Sequence, residues 1–569
     1  VIDVLVDDDP LGFGVLTALA IEGMPVRRIA HATECTGRVL VVSGDRLDGS
    51  LDIAKRQEAT VVIGGRDGGG AEEPVVMPLQ GEVWSMRVQR IANAHGHGEL
   101  SLPRARVQGV PAGWSGAVLA TCQNGRGQWA PAVVQRNRLV WCLVDVGSAI
   151  TDLVSESYLS EPNRPSLRAG ASQAALARYY RAADAVRCGT QRASYPRLDR
   201  RLRSLGARAS SYPVDVAGWL LIELIVGLIR AAAGETVRLA RWPAPYRSAA
   251  ALTHDVEPSI YAYTDGLEQL LARVARSALP ATFGLVAGPA TRSLFVRAET
   301  ELRRAEILCH GLEHRGETLE GSRVEIAAGI ERARALLERR FERPVSGFRS
   351  PRLDRSPDLV WALDQLGFEY DSSYPDVDRE SLDNFGGGVR LNLPFRPPLH
   401  SAAGTLRPSR CLELPVSMPD CIQPLFQGDD FRQLRRVVRA KINMVHDTEG
   451  LYVGTVHGGV FGGRDAARRG AHLSFLARQL ERPDVWLATL GDIARWWAAR
   501  ERLHLRVEAD RILVSNRGQT AVAGVRVLME RRGDAITMLV PLLNPGDGVS
   551  LALPFRARAA PEVRVQEVS

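Results

Sequence analysis

The chain has 569 residues, is 45% hydrophobic and 24% charged, and carries a formal net charge of +7. At roughly 150 residues per domain this is a globular protein of three or four domains, which excludes a disordered or low-complexity chain. The positive charge does not amount to a nucleic-acid signature: the only lysines are Lys55 and Lys441, and the arginines are interleaved with acids, as in Glu299–Glu306, rather than gathered in a stripe.

Seven cysteines lie at irregular spacing with no C-x-x-C. That fits reduced thiols and predicts a cytoplasmic protein rather than a disulfide framework. The residues from Val1 show no basic-then-apolar leader pattern, in keeping with that cytoplasmic expectation. The most apolar segment, Trp219–Ile229, is too short to span a bilayer and carries Glu223, so no membrane span is expected.

Residues 1–170 read as an α/β domain. Val1–Val6, Val39–Val42 and Thr60–Ile63 are continuous apolar runs, as a buried parallel sheet requires. Gly12–Ile21 predicts a helix between the first two, and Asp52–Glu58 a crossover. Ala117–Thr121, Ala132–Gln135 and Leu139–Val146 read as a meander. Gly12-x-Gly14-x-x-Thr17 sits where a dinucleotide loop would, but the third glycine is missing and Asp7-Asp8-Asp9 would repel a pyrophosphate. No cofactor-binding residue is assigned there. Gly64-Gly65-Arg66 occupies the place of a nucleophile elbow without a Ser or Cys.

Residues 171–248 form a connector, with a helix over Gly218–Ala233 stopped by Gly234. From 249 to 500 strand runs alternate with amphipathic helices. The strands include Ala281–Val286, Glu306–Cys309, Leu412–Leu414 and Tyr452–Val456. The helices include Gly266–Ala278, Ser322–Phe341, Pro357–Leu366, Leu473–Leu480 and Leu490–Arg500. Such repetition predicts a parallel barrel or doubly wound sheet, with its chemistry at the C-terminal strand ends. Residues 503–569 change to short alternating strands with tight turns, a small β-sandwich.

The chemistry-bearing residues cluster in the third region. Thr253-His254-Asp255-Val256-Glu257-Pro258 follows the apolar run Ala249–Leu252 and delivers two carboxylates. His310 and His314, four residues apart after a strand, are expected to point the same way on a helical turn and share one metal. Three protein ligands with one open position is the catalytic zinc pattern, so one of Asp255 and Glu257 is the expected third ligand and the other the general base. The residues alone leave open which carboxylate does which.

Five ordered segments resemble the motifs of the polysaccharide deacetylase family, also called the NodB-homology or carbohydrate esterase family 4 group. They are Thr253–Pro258, the His310/His314 pair, Gly347-Phe348-Arg349-Ser350-Pro351-Arg352, Leu366-Gly367-Phe368-Glu369-Tyr370-Asp371-Ser372-Ser373, and Gly454-Thr455-Val456-His457. The resemblance covers about residues 249–500 and implies a deformed (β/α) barrel. It implies that Asp255 is the general base, and that Glu257, His310 and His314 hold a divalent metal, most often zinc, with cobalt or nickel as substitutes. It further implies that Arg349 orients Asp255, that His457 is the general acid, and that Asp371 sets the tautomer of His457. Pro351, Tyr374 and Glu413 are the substrate-lining residues it suggests. The first motif departs from the family in placing His254 where Phe is usual and D-x-E where D-D is usual.

The first domain carries a second resemblance: Pro131–Asp145 is similar to the closing strands of glutamine-amidotransferase-like domains. No G-x-C-x-G occurs, so that chemistry is not implied, and the domain is read as a catalytically silent α/β module. The activity expected is metal-dependent removal of an acetyl group from an N-acetylated sugar. The alternatives are hydrolysis of another C–N bond (formamide, imide, ureide) and a non-catalytic glycan-binding or assembly scaffold. The expected partners are a carbohydrate substrate and a protein bound through the N- or C-terminal domain, with no nucleic acid.

Overall fold

A computed structural model of the chain describes residues 1–46, 59–64, 76–77, 84–88, 99–102, 107–108, 116–123, 129–155, 216–257, 264–277, 279–291, 298–314, 321–376, 388–401, 404–418, 431–457, 466–508, 510–531, 534–553 and 564–566.

The first domain is a nine-stranded mixed sheet. Val26–Arg28, Ile2–Leu5, Val39–Ser43, Ala59–Ile63 and Leu139–Cys142 lie side by side and parallel. Trp129–Arg136, Ala117–Gln123, Trp84–Val88 and Glu99–Leu102 continue the sheet antiparallel. The continuous apolar runs are the buried parallel strands. The expected crossover at 52–58 and residues Gly65 and Arg66 lie outside the described residues.

The helix Pro10–Ile21 begins at Asp9, whose carboxylate accepts the Gly12 N–H at 2.8 Å. The glycine pair is there for packing. A Cβ on Gly14 would come within 1.9 Å of the Gly147 carbonyl on the helix Val146–Ser155, so the two helices cross almost backbone to backbone.

The connector is not a free-standing linker. Its helix Ala217–Ala233 covers the first sheet, packing Ile222, Ile225 and Ile229 into the same core as Val61, Ile63 and Val140. Gly234 ends it in the left-handed region, at φ 77°. The strand Glu235–Leu239 then pairs antiparallel with Arg526–Arg531 and becomes part of the C-terminal sandwich. That sandwich stacks the sheet Glu235–Leu239, Arg526–Arg531, Asp534–Leu539 on the sheet Leu503–Val507, Arg511–Asn516, Gly548–Ala552, Arg564–Gln566. Val237, Ile512, Val514, Val527 and Val549 fill the space between them. A boundary at 503 therefore misses one strand, because strand pairing need not respect sequence distance.

The third region is a parallel sheet curled into a barrel. Its order is Leu412–Glu413, Tyr370–Asp371, Gly347–Phe348, Glu306–Cys309, Ala281–Leu285, Ser248–Val256, Leu451–Thr455, and Val485–Leu487 also pairs with Ser248–Val256. A parallel bridge from Met418 to Gly454 and the Ser417 N–H bond to Val453 O (2.9 Å) join the two edges. The helix Arg323–Phe341 starts with a capping box of Ser322 and Glu325, and Pro357–Leu366 runs from the Ser356 cap to left-handed Gly367. The helix Phe431–Asp447 was not anticipated from the sequence.

The three parts meet at a buried charge cluster. Glu22, at the end of the first helix, pairs with Arg238 and Arg241 of the connector. Arg241 also donates to Thr448 O at 2.7 Å. Arg500, from the last barrel helix Leu490–Glu501, donates to Ala240 O (2.8 Å) and Ile21 O (3.0 Å).

Candidate metal and acid–base centre

Strand alternation sorts the first motif. Thr253 and Asp255 turn to the barrel interior, where both accept bonds from Arg349 Nη1, at 2.7 Å and 3.1 Å. Arg349 is completely buried. Its Nε donates to Ser372 O at 2.9 Å and its Nη2 to Ser372 Oγ at 3.0 Å, which leaves the guanidinium one orientation. Gly284 stands opposite Asp255 in the strand register, and a Cβ there would lie 2.6 Å from Asp255 Oδ1. The carboxylate needs that glycine. Neither Ser372 nor Gly284 was singled out from the sequence. The signals were a lone glycine inside a β-rich run and the alternation of Asp371-Ser372.

His310 follows its strand directly. Its Nδ1 donates to the Arg349 carbonyl at 2.9 Å, which leaves Nε2 as a metal-competent acceptor. The expected helical turn is absent: residues 310–314 form an irregular bend, with Gly311 at φ 78° and His314 itself at φ 61°. A residue with φ > 0 cannot continue a right-handed helix, so the loop, not helical periodicity, brings the imidazoles together. Their ring centroids are 5.2 Å apart. The positive φ of His314 is local strain at the site.

Glu257 lies just past its strand end. One carboxylate oxygen contacts His314 Nε2, and the other lies 3.9 Å from His457 Nε2. Ligand atoms of Glu257, His310 and His314 all fall within 4.8 Å of one another. Among the described residues this is the one such cluster of metal-ligating side chains. Asp255 is outside it. Two imidazole nitrogens and one carboxylate oxygen are a donor set that suits a divalent metal with room for a further ligand.

The electrostatics follow from burial and neighbours. Desolvation pushes the Asp255 carboxyl up, but Arg349, followed by His310 and His457, outweighs it and the net shift is downward. Desolvation likewise opposes ionisation of Glu257, and His314, with His457 and His310, overcomes it and holds the carboxyl well below its ordinary range. Burial lowers His310, against the raising influence of Asp255.

Asp371 is elsewhere. Ser372 faces Arg349, so alternation sends Asp371 to the other face of its strand. There it accepts from Ser373 Oγ at 2.5 Å and lies beside Glu413, its register partner. Burial raises Asp371 to about 6 and pushes Glu413 well above the ordinary carboxylate range, which favours a proton held between the two carboxyls. The bonds of Asp371 therefore serve a carboxyl pair rather than the tautomer of His457. Glu413 is fully buried and accepts the Tyr374 N–H at 3.0 Å. Tyr374 is boxed between Phe395 and Arg355. Pro351 is buried at the start of a short 3-10 turn. Burial of all three runs against the expectation that they line a substrate pocket.

Residues 243–370 match the family model described as Polysaccharide deacetylase. Among solved structures, the chain is similar to PuuE allantoinase, at 16% identity over 46% of this chain and 93% of that one, with a TM-score of 0.36. It is similar to Agd3, described as a novel carbohydrate deacetylase, at 11% identity over 99% of both chains, with a TM-score of 0.40. It is also similar to a CE4 family pseudoenzyme from Bacillus anthracis, at 12% identity over 44% of this chain and 66% of that one, with a TM-score of 0.26. Likeness at this level says nothing about what this chain acts on. No curated protein sequence matches the chain. Among the described residues no helix is long and apolar enough to cross a membrane.

Proposed function

From the premise that residues 243–370 belong to the polysaccharide deacetylase family, hydrolases acting on carbon–nitrogen bonds, we propose that the chain removes acetyl groups from an N-acetylated glycan in a metal-dependent reaction. The observation that carries this is the convergence of Glu257, His310 and His314 beside a buried, Arg-held Asp255.

Glu257, His310 and His314 would hold the metal. Bound there, a divalent ion would supply Lewis-acid polarisation of the amide carbonyl and lower the pKa of the attacking water. Asp255 takes the proton from that water. Its depressed pKa keeps it ionised and ready, and Arg349 and Gly284 fix its position. His457 is on the far side of Glu257 from His314's contact and delivers a proton to the departing nitrogen as the C–N bond breaks. The products are acetate and a free amine. Asp371 and Glu413 stay out of the reaction and brace the strands that carry Arg349 and Ser372.

Metal content and acetate release test this together. Purified protein is expected to hold about one equivalent of zinc, cobalt or nickel per chain, to lose it in His310→Ala, and to release acetate from at least one N-acetylated glycan. Metal binding with no acetate from any glycan, but turnover of a formamide, imide or ureide, would move the substrate and keep the chemistry. No metal, and no change on His310→Ala, would leave a barrel without hydrolytic function.

A further inference from the structure

His254 lies inside the first motif but faces away from the site. Its ring is fully buried on the outer face of the strand, 5.0 Å from that of Phe283. Nδ1 is 3.1 Å from the Val456 carbonyl. A carbonyl only accepts, so Nδ1 carries the proton and donates. Nε2 is then a buried acceptor with no hydrogen-bond partner. Burial also depresses the ring's pKa to about 4, against the raising effect of the Val456 bond, so it stays neutral and keeps that donor at ordinary pH. Packing alone asks for an aromatic hydrocarbon here, since an imidazole strands a nitrogen that a phenyl ring would not.

The acceptor explains the choice. Val456 immediately precedes His457. The register between the strands Ser248–Val256 and Leu451–Thr455 ends at Thr253↔Thr455, with one further bond from the Val456 N–H to Thr253 O at 2.9 Å. The His254 side chain supplies the next link outward.

We propose that His254 is a positioning residue: its Nδ1–H bond to the Val456 carbonyl ties the strand end bearing Asp255 and Glu257 to the one bearing His457, and so fixes the acid relative to the base. This rests on the roles proposed above for Asp255 and His457. Catalytic groups misplaced by about 1 Å cost about 10²-fold in rate, so a single backbone tether at this point is worth more to turnover than to folding.

Two substitutions separate tethering from space-filling. His254→Phe keeps the ring against Phe283 and removes the donor. His254→Asn loses the ring but places its amide nitrogen where Nδ1 stood. If the side chain only fills space, Phe is benign and Asn is harmful. The tether predicts the reverse at the site. His254→Phe is expected to lose roughly 10–100-fold in kcat with KM little changed, while melting at or above the wild-type temperature because no nitrogen is stranded. His254→Asn is expected to stay within about threefold of wild type in kcat.

Amide hydrogen exchange across residues 453–457 gives a readout independent of turnover: it should rise in His254→Phe and not in His254→Asn. Wild-type kcat and wild-type exchange in His254→Phe would overturn the inference, whatever becomes of the Asn variant. If the wild-type protein releases no acetate from any glycan, the deacetylase reading fails, and the exchange comparison still decides for or against the tether.

Discussion

Two clusters of charge in this protein each centre on a glutamate and end in opposite states. At the domain junction, the Glu22 side chain is 0% exposed, Arg241 3% and Arg238 10%, and the carboxylate is gripped from two sides by guanidinium groups. In the barrel, Glu257 is 16% exposed, His314 20% and His457 29%, and three metal-competent atoms crowd together at the end of the strands. The first cluster is closed: its charges answer one another, Glu223 and Glu530 add further carboxylates, and the Thr448 carbonyl takes an Arg241 donor. The second is more exposed: ligand atoms of Glu257, His310 and His314 converge within 4.8 Å of one another, a donor set able to hold a divalent metal. The closed kind ties parts of the chain together, and the more exposed kind is where the proposed chemistry sits.

That contrast breaks most sharply if the base is removed. Asp255→Asn should lower kcat by about 10²–10⁴-fold while metal content stays at the wild-type level, because Asp255 lies outside the ligand trio. Loss of metal in this variant would make Asp255 a ligand and undo the division of labour between the two carboxylates.

At the junction the expectation is inverted. Glu22→Ala leaves Arg238 and Arg241 facing each other in a buried space and should cost about 3–5 kcal/mol of stability in denaturant unfolding, with the kcat of the folded enzyme unchanged. The pH dependence has a definite sign. Desolvation raises the Glu22 pKa, but Arg241 and Arg238 bring it down from 4.5 to about 2. A depressed carboxyl stabilises the fold above its unfolded pKa, and that stability is lost as pH falls from about 4.5 towards 2. Acid unfolding over this window should be shallower in Glu22→Gln, and equal slopes would show that the junction does not set acid stability.

Gly284→Ala sharpens the pocket side. The new Cβ would press on Asp255 Oδ1 from 2.6 Å, so kcat should fall on the order of 10²-fold with the metal retained. The smallest effect belongs to the carboxyl pair behind the site. Glu413→Gln mimics the protonated acid and should change stability by less than about 1 kcal/mol, whereas Glu413→Ala strands the Asp371 carboxyl and the Tyr374 N–H and should cost about 1–3 kcal/mol. Equal costs for the two would argue against a shared proton.

Much of the barrel was legible because its signals are local. Caps and stops such as Ser356 and Gly367 bound the helix Pro357–Leu366 where the pattern puts it. The strands Glu306–Cys309 and Leu451–Thr455 bring the histidines to the right edge. Three expectations fail, one from a periodicity carried across an irregular bend, one from a role taken over with the family resemblance, and one from a boundary drawn without its strand partner. His310 and His314 were placed on a helical turn that Gly311 and the positive φ of His314 forbid. Asp371 was assigned to the site although its neighbour Ser372 is the residue that faces it. The strand Glu235–Leu239 reads as connector because its partner lies nearly three hundred residues away in sequence.

The sequence by itself therefore determined most element types, an alternation of parallel strands and helices, and the list of residues able to do acid–base and metal chemistry, since these follow from period, capping and side-chain type, while the barrel was what the family resemblance implied. Only the tertiary structure decided which carboxylate joins the two histidines and which stands beside Arg349. It also decided that Asp371 turns away and that His254 reaches Val456. Each of those outcomes depends on where two strand ends come to lie in space, which no local pattern encodes.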